Sequence, residues 1–522
     1  MSERSKSITK GVSVLGITGI ICKLVGVLYS IPLARILGDT GLGMFQTVFP
    51  TYNLLLTLSS AGLPVAVSRL VSHYLAKDDP LNAKKVFKVA LIMLLSIGGL
   101  FSVLMLASNR LLVYLVGVEG ASKGFIVIAP CVAIVCTLSA FRGFIQGQQN
   151  MVPTAVSQLI EQVGKVAVSL PLAAAGIRIS VADGAAGALL GITIVETLAL
   201  IYMIIRYSVK RKDILRYQSA SDTQLVTSRS LAKDLISISV PITISACIIP
   251  LAQFIDSTLM VKRMIVSGLG SDEATALYGI FSGMVIRLIN IPTALALAIS
   301  MSLVPAISAV KAIENKQAIR SESNTGIRYA FLIGFPCSIG MSLLSKQILA
   351  FFYLETLSAE RLQTAAELLT FSALTCVLFT VVQATSSILQ GLHKQKLPMY
   401  TMLAGVLLKI ILNYILIGTK GINIHGGPIA SIVCYSVSMI PNLIFCCKYA
   451  GMNFNWLDWI IKPGIAVSAM ALCVTILKAL LPLNRLTTVV EVLAGIIIYL
   501  VAAYLTGAVT KEDLKSFSRK RV

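Results

Sequence analysis

Runs of about 20 apolar residues recur along this whole chain, each long enough to cross a hydrocarbon core of about 30 Å as a helix. In lipid every backbone polar group must be paired internally, so such runs become transmembrane helices. Of 522 residues 56% are hydrophobic and only 13% charged, against about a quarter charged in a soluble domain. No polar stretch is long enough for a separate soluble domain. Any chemistry must therefore lie in or beside the membrane.

A net charge of +21 in a soluble protein would suggest nucleic acid. Here the basic residues gather in alternate loops, as the positive-inside rule expects, and no nucleic-acid partner is expected. All ten cysteines lie in or at the ends of apolar spans, without a CxxC pair; they read as small core residues. The three histidines, His73, His393 and His425, are far apart, so no metal site is expected. The basic N-terminus followed by an apolar run resembles a signal peptide. The run from Val12 to Leu37 is too long for one, however, and lacks a small-residue cleavage site, so a retained helix is expected.

The pattern predicts an all-α polytopic membrane protein of about fourteen helices, near 12–37, 42–75, 84–108, 124–147, 152–176, 184–207, 234–261, 274–308, 327–352, 364–392, 398–418, 427–448, 458–481 and 486–508. Lys77, Lys84, Lys85 and Lys88 follow the second helix, Arg206 to Lys233 the sixth, Lys311, Lys316 and Arg320 the eighth, and Lys394 and Lys396 the tenth; Lys511 to Arg521 close the chain. The loops between are poor in basic residues, which puts both termini in the cytoplasm of a multi-pass protein.

Part of the chain repeats. Gln390-Gly391 followed by Pro398 echoes Gln146-Gly147 followed by Pro153, and a lysine lies 19 residues after each glutamine, at Lys165 and Lys409. Ala66-Val67-Ser68 echoes Ala306-Ile307-Ser308, and Gly176-Ile177 echoes Gly421-Ile422. Three matches in order predict two six-helix lobes repeated in parallel: residues 1–208, a linker over 209–233, and 234–450. Residues 451–522 add two further helices and a basic tail.

At 1.5 Å per residue, Lys23 lies roughly 16 Å into the first helix, and Lys165, Arg287 and Lys409 about 16–20 Å into theirs. Glu161 and Glu196 are also near mid-depth, Arg69 and Arg142 near cytoplasmic ends, and Arg35 and Asp256 nearer the outside. Glu161 and Lys165, spaced i, i+4, can pair along one face, and Asp256 can neutralise Arg287. Yet four deep cations face two deep anions, and a charge at the bilayer centre costs a few kcal/mol. A hydrated cavity that receives an anion explains the surplus. Pro32, Pro50, Pro64, Pro241, Pro250, Pro292 and Pro305 break helical hydrogen bonds, as static kinks or as bending points. No GxxxxGK[ST] motif occurs, so energy must come from the ligand, an ion gradient or a partner.

Pro50-Thr51-Tyr52-Asn53, Gly62 to Arg69, Arg142 to Gly147 with Pro153 to Gln158, and Ile291-Pro292-Thr293 before Ser302 to Ser308 resemble the polysaccharide-biosynthesis branch of the MOP exporter superfamily, within it the stage V sporulation protein B group and the MurJ-type lipid II flippases. The resemblance spans nearly the whole chain. It implies two lobes forming a V-shaped central cavity, alternating access without ATP, and a lipid-linked sugar pyrophosphate such as lipid II as cargo. It further implies a plasma-membrane monomer working beside cell-wall synthesis enzymes, in vegetative growth or sporulation. No cofactor is expected; coupling would be to the membrane potential, H+ or Na+, with Glu196, Asp256 and Glu161 as candidate ion sites.

In the MurJ branch, cations on helices one, two and eight bind the pyrophosphate, and the last two helices line a groove for the lipid tail. Lys23 and Arg35 match the helix-one pattern and Arg287 the helix-eight one. Tyr29 stands where a second helix-one basic residue is expected, and Asn53-Leu54-Leu55 lacks the helix-two one. Lys165 and Lys409 are then the expected substitutes, with Arg69 and Arg142 receiving the head from the cytoplasm. Two alternatives are a multidrug or cation antiporter of the same superfamily, whose substrates a basic cavity would repel, and a membrane glycosyltransferase, which would need an acidic group on a sizeable outer loop.

Overall fold

A computed structural model describes residues 3–216 and 225–510. The expected basic tail from Lys511, the middle of the expected linker and the side chain of Lys23 lie outside the described residues. Among the described residues there is no strand, and thirteen helices are long and apolar enough to cross a membrane. The first of these, Leu28–Ala76, joins two of the fourteen expected helices. The protein is an all-α, multi-pass membrane protein. All ten cysteines are free.

The chain folds as two compact units, Met1–Gly279 and Ile280–Val522. In the first, α1 (Glu3–Ser60) runs on through Pro32 and Pro50 and turns at Gly38 instead, where φ is 67° and ψ −173°. A proline removes one hydrogen bond, whereas the positive φ of Gly38 swings the chain onto a new axis. Then follow α2 (Leu63–Ala76), α3 (Pro80–Ala107), the short α4 (Asn109–Val116), α5 (Ala121–Gly147), α6 (Val152–Gly164), a π-helical turn (Lys165–Ser169), α7 (Leu170–Gly176), α8 (Val181–Arg216) and α9 (Ser228–Val266). The core runs along α5, where Phe125, Ile128, Val132 and Leu138 are wholly buried. Phe141 and Phe144 close it against Phe87 and Tyr207. A short α10 (Ser271–Tyr278) and a second π-helical turn (Gly279–Val285) lead to the second unit.

The second unit holds α11 (Ile286–Ala312), α12 (Lys316–Leu343), α13 (Ser345–Tyr353), α14 (Ala359–Ser372), α15 (Leu374–Gly391), α16 (Lys396–Ile417) and α17 (Gly426–Ala450). A third π-helical turn (Leu457–Ile461), α18 (Lys462–Leu480) and α19 (Arg485–Leu505) complete it. Here α15 takes the central place, with Val381, Ile388 and Leu389 buried beside Ile307, Ile327 and Cys446. The last two helices pack on each other through Met470, Val474 and Tyr499.

The repeat is written in the corners of the two units. Asp78 turns left-handed (φ 54°) before Asp79, whose side chain caps α3 by accepting from the Asn82 N–H; Glu314 (φ 51°) precedes Asn315, which caps α12 by accepting from the Ala318 N–H. Gln149 (φ 61°) and His393 (φ 59°) turn left-handed at the next pair of corners. Gly147 and Gly391 complete the match. A Cβ on Gly147 would lie 2.7 Å from Val71 Cβ, and one on Gly391 2.7 Å from Ile307 Cβ. Both helix pairs need a residue without a side chain where they cross.

These neighbours correct the register of one echo. Ser72 donates to the Gly147 carbonyl and Ser308 to the Gly391 carbonyl, so the structural counterpart of Ser308 is Ser72 and not Ser68. The echo of Ala-Val-Ser in Ala-Ile-Ser is displaced by one helical turn. Four residues return a helix to nearly the same face, so the pattern of small and apolar residues looks alike in either register.

Candidate functional site

In the first unit the polar residues of α1, α5, α6 and α8 converge. The antiparallel hairpin of α5 and α6 sets their depth. Arg142 stands five residues before the end of α5 and Ser157 five after the start of α6, so the two meet. Arg142 donates from Nη2 and Nε to Ser157 Oγ, at 2.8 and 3.0 Å. Its long side chain reaches one turn further, where Nη2 forms an ion pair with Glu161 Oε1. Both side chains are nearly buried, 14% and 11% exposed. Ser157 Oγ in turn donates a hydrogen bond to the Thr154 carbonyl at 2.8 Å.

This arrangement reassigns one expected partner. Glu161 is paired with Arg142 across the hairpin and not with Lys165 along its own helix. Arg142, expected to meet cargo at the cytoplasmic side, bonds to Glu161 and Ser157. Within electrostatic range of Glu161 lies Glu196 on α8, 6% exposed. Glu196 Oε2 is buried and has no hydrogen-bond partner among the described residues.

Lys165 opens the π-helical turn and is half-buried. It lies within electrostatic range of Glu196, Cys131 and Cys22, yet among the described residues no group accepts a hydrogen bond from its ammonium. A π-turn widens the helix by one residue and recurs at functional sites. It is held from the other side: Ser169 donates to the Ala188 carbonyl at 2.6 Å, which leaves the Tyr29 hydroxyl to donate to Ser169 at 2.7 Å. Tyr29, where the family pattern expects a cation, thus ties helix one to this turn. Gly26 of the same helix faces Gln162 of α6.

The other expected residues are more scattered. Arg35 on α1 and Arg69 on α2 are exposed, and Asp256 on α9 is half-buried. In the second unit Arg287 is half-buried in α11, two residues past the π-turn that ends at Val285. Lys409 is half-buried in α16, one turn before the fully buried Asn413. The surroundings of Lys409 differ from those of Lys165. Gly405 stands where Glu161 would be, and a Cβ there would lie 2.5 Å from the Cys434 carbonyl oxygen of α17. Ser386 stands where Arg142 would be. In this seam Thr401 donates to Asn442 Oδ1 at 2.8 Å and Ser438 to the Cys434 carbonyl at 3.0 Å.

A half-buried lysine in a membrane-spanning helix, a repeated bundle and no strand among the described residues agree with the comparisons. The family model of the polysaccharide biosynthesis protein matches residues 8–311, and that of MatE residues 241–415. The lipid II flippase MurJ of Bacillus subtilis (strain 168) is 28% identical over 467 residues, covering 86% of this chain and 84% of that protein. The stage V sporulation protein B of the same organism is 25% identical, covering 81% and 80%. Among solved structures, a multidrug resistance MATE family transporter of the MOP superfamily superposes with a TM-score of 0.70 at 18% identity, covering 84% of this chain and 98% of that one. A lipid II flippase MurJ superposes with a TM-score of 0.68 at 14% identity, covering 93% and 97%. With more than half its length inside the first of these family models, the chain belongs to the polysaccharide biosynthesis protein family and has the fold of the MOP-superfamily transporters.

Proposed function

We propose that this protein is a flippase that carries a lipid-linked oligosaccharide pyrophosphate, of the lipid II class, from the cytoplasmic to the outer leaflet of the plasma membrane by alternating access. The observation that carries this reading is Lys165, a half-buried cation at a π-helical turn whose ammonium finds no acceptor among the described residues. A cation within a membrane-spanning helix is costly unless water or an anion meets it, and a pyrophosphate supplies that anion. The similarity to MurJ and to the stage V sporulation protein B supports a lipid-linked cargo. On this reading the first half offers Lys23, Arg35 and Lys165 to the pyrophosphate and the second offers Arg287 and Lys409. Arg69 meets the head on the cytoplasmic side, where both termini lie. The protein works as a monomer beside cell-wall synthesis enzymes.

Movement of an anion outward across an interior-negative membrane gains about 2.3 kcal/mol per charge per 100 mV. A proton or sodium ion bound at Glu196, Asp256 or Glu161 would add to this coupling. No catalytic step is needed. The test is reconstitution with a fluorescent lipid-linked pyrophosphate sugar, with the fraction reachable from each side of the vesicle followed over time. Protein-dependent translocation that Lys165→Ala and Arg287→Ala slow at least tenfold is expected. Translocation absent from the wild type, or unchanged in both variants, overturns the proposal.

A second reading is an antiporter for cationic drugs. It is favoured by the MatE match over residues 241–415 and by the buried carboxyls of Glu161 and Glu196. Transport of a cationic dye against a proton gradient, unaffected by lipid-linked sugars, would select it.

A further inference from the structure

Both tryptophans of the chain, Trp456 and Trp459, fall within the connection between α17 and α18. At the end of α17 the backbone turns left-handed at Gly451 (φ 65°), and the third π-helical turn follows. The two indoles have opposite fates there. Trp459 is 1% exposed and packs in one buried cluster with Ala450, Met452 and Leu392, the last from the corner between α15 and α16. Trp456 is 63% exposed, with Leu457 and Ile461 exposed beside it. Phe454 stands against both rings, its centroid 4.4 Å from that of Trp456 and 5.0 Å from that of Trp459. Asn455 fixes the turn, accepting from the Asp458 N–H at 3.2 Å and donating to Asp458 Oδ2 at 2.6 Å. One indole therefore seats the connection on the second unit while the other projects from it.

The charges around this projection are one-sided. Lys394 of the α15–α16 corner and Lys448 in the last turn of α17 both lie by the Tyr449 ring, 5.3 and 5.7 Å from its centroid. All three side chains are exposed. A ring face attracts a cation without neutralising it. Among the described residues no carboxylate pairs with either lysine, and Asp458, the acid of this connection, is held by Lys462 at 2.6 Å. Because both ammonium groups lie by one ring, they act on the same region of whatever meets this edge. An indole prefers the headgroup level of a bilayer, where its apolar body meets lipid and its N–H meets water. Lysines at that level attract anionic headgroups. A tryptophan that merely met lipid would need no uncompensated cations beside it, and lysines that merely faced water would need no projecting indole.

We propose that the α17–α18 connection and the α15–α16 corner form a binding site for an anionic phospholipid. Lys394 and Lys448 hold its headgroup phosphate, and Trp456 and Leu457 lie among its glycerol and upper acyl carbons. The site is built entirely within the second unit and does not depend on the identity of the cargo. It fixes the depth of this corner in the bilayer and selects which lipid sits beside it.

The test uses the scarcity of tryptophan. In full-length Trp459→Phe, reconstituted into phosphatidylcholine nanodiscs, Trp456 is the one indole left, and its fluorescence reports the lipid that touches it. The nanodiscs carry a minor fraction of either phosphatidylglycerol or phosphatidylcholine brominated near the glycerol. Quenching by the anionic lipid is expected to exceed that by the neutral one about twofold. The excess is expected to vanish when Lys394→Ala and Lys448→Ala are added. Trp456→Phe, which leaves only the buried indole, is expected to show little quenching by either lipid. Should Trp459→Phe not fold by gel filtration, the difference between the wild type and Trp456→Phe isolates the same indole. Equal quenching by the two lipids makes Trp456 an unselective lipid contact and overturns the site. So does an excess that survives the loss of both lysines, and so does an indole that neither lipid quenches.

Discussion

Ser72 donates its hydroxyl proton to the carbonyl oxygen of Gly147 at 2.6 Å, and the second unit makes the same link from Ser308 to Gly391 at 3.3 Å. Each bond ties a helix to the last residue of the helix it crosses, and each sits where a glycine lets the two backbones meet. An extra methyl there has nowhere to go. Gly147→Ala and Gly391→Ala are each expected to destabilise the protein by about 1–3 kcal/mol through overpacking. Gly99→Ala, whose Cβ would meet nothing within 4 Å, is expected to be neutral or slightly stabilising. Thermal unfolding in detergent, read by fluorescence or gel filtration, ranks the three.

Arg142 and Glu161 form a nearly buried pair, so removing one partner strands the other. Arg142→Ala is expected to cost about 3–5 kcal/mol. The double variant Arg142→Ala with Glu161→Ala should recover part of that loss. A double-mutant cycle of unfolding free energies measures the coupling. Simple additivity would mean that the pair contributes nothing.

Exchanging Glu161 and Lys165 separates two accounts of this helix. Were they partners along one face, the exchange would be tolerated. With Arg142 as the true partner of Glu161, the exchange sets a lysine against a guanidinium and moves the carboxylate away. Loss of folded protein in gel filtration is therefore expected, and restoring it should require Arg142→Glu as well.

Lys165→Arg should retain translocation within a few-fold, and Lys165→Ala should lose it while the unfolding temperature is unchanged or rises. A half-buried cation whose ammonium no described group accepts from is a net cost to the fold. Measuring stability and transport on the same preparations shows whether the lysine is kept for function.

The helices were legible in the sequence because an unbroken apolar run has few alternatives in lipid. The repeat was legible because Gln146-Gly147 and Gln390-Gly391 mark corners where Gln149 and His393 take left-handed backbones. The position of the first bend was not. Seven prolines drew attention, while Gly38 redirects α1. The cluster was half legible: Glu161, Lys165 and Glu196 stood out by depth, but the partner of Glu161 lies on another helix. Counting residues back from the Gln-Gly corner would have found it, since Arg142 and Ser157 are equally far from the ends of α5 and α6. The role of Tyr29 carried no comparable signal, because nothing in its own helix reveals a bond to Ser169.

The two serine–glycine links close loops of different length, 75 residues in the first unit and 83 in the second. The corners at one end of each unit keep their form, so the eight additional residues are absorbed at the other end. There α4 alone joins α3 to α5, whereas α13 and α14 join α12 to α15. One end of each bundle is therefore a fixed joint and the opposite end an adjustable one. An epitope or a fluorescent reporter grafted between α13 and α14 would lengthen the connection that has already changed length, leaving the joints where the helices are pinned untouched.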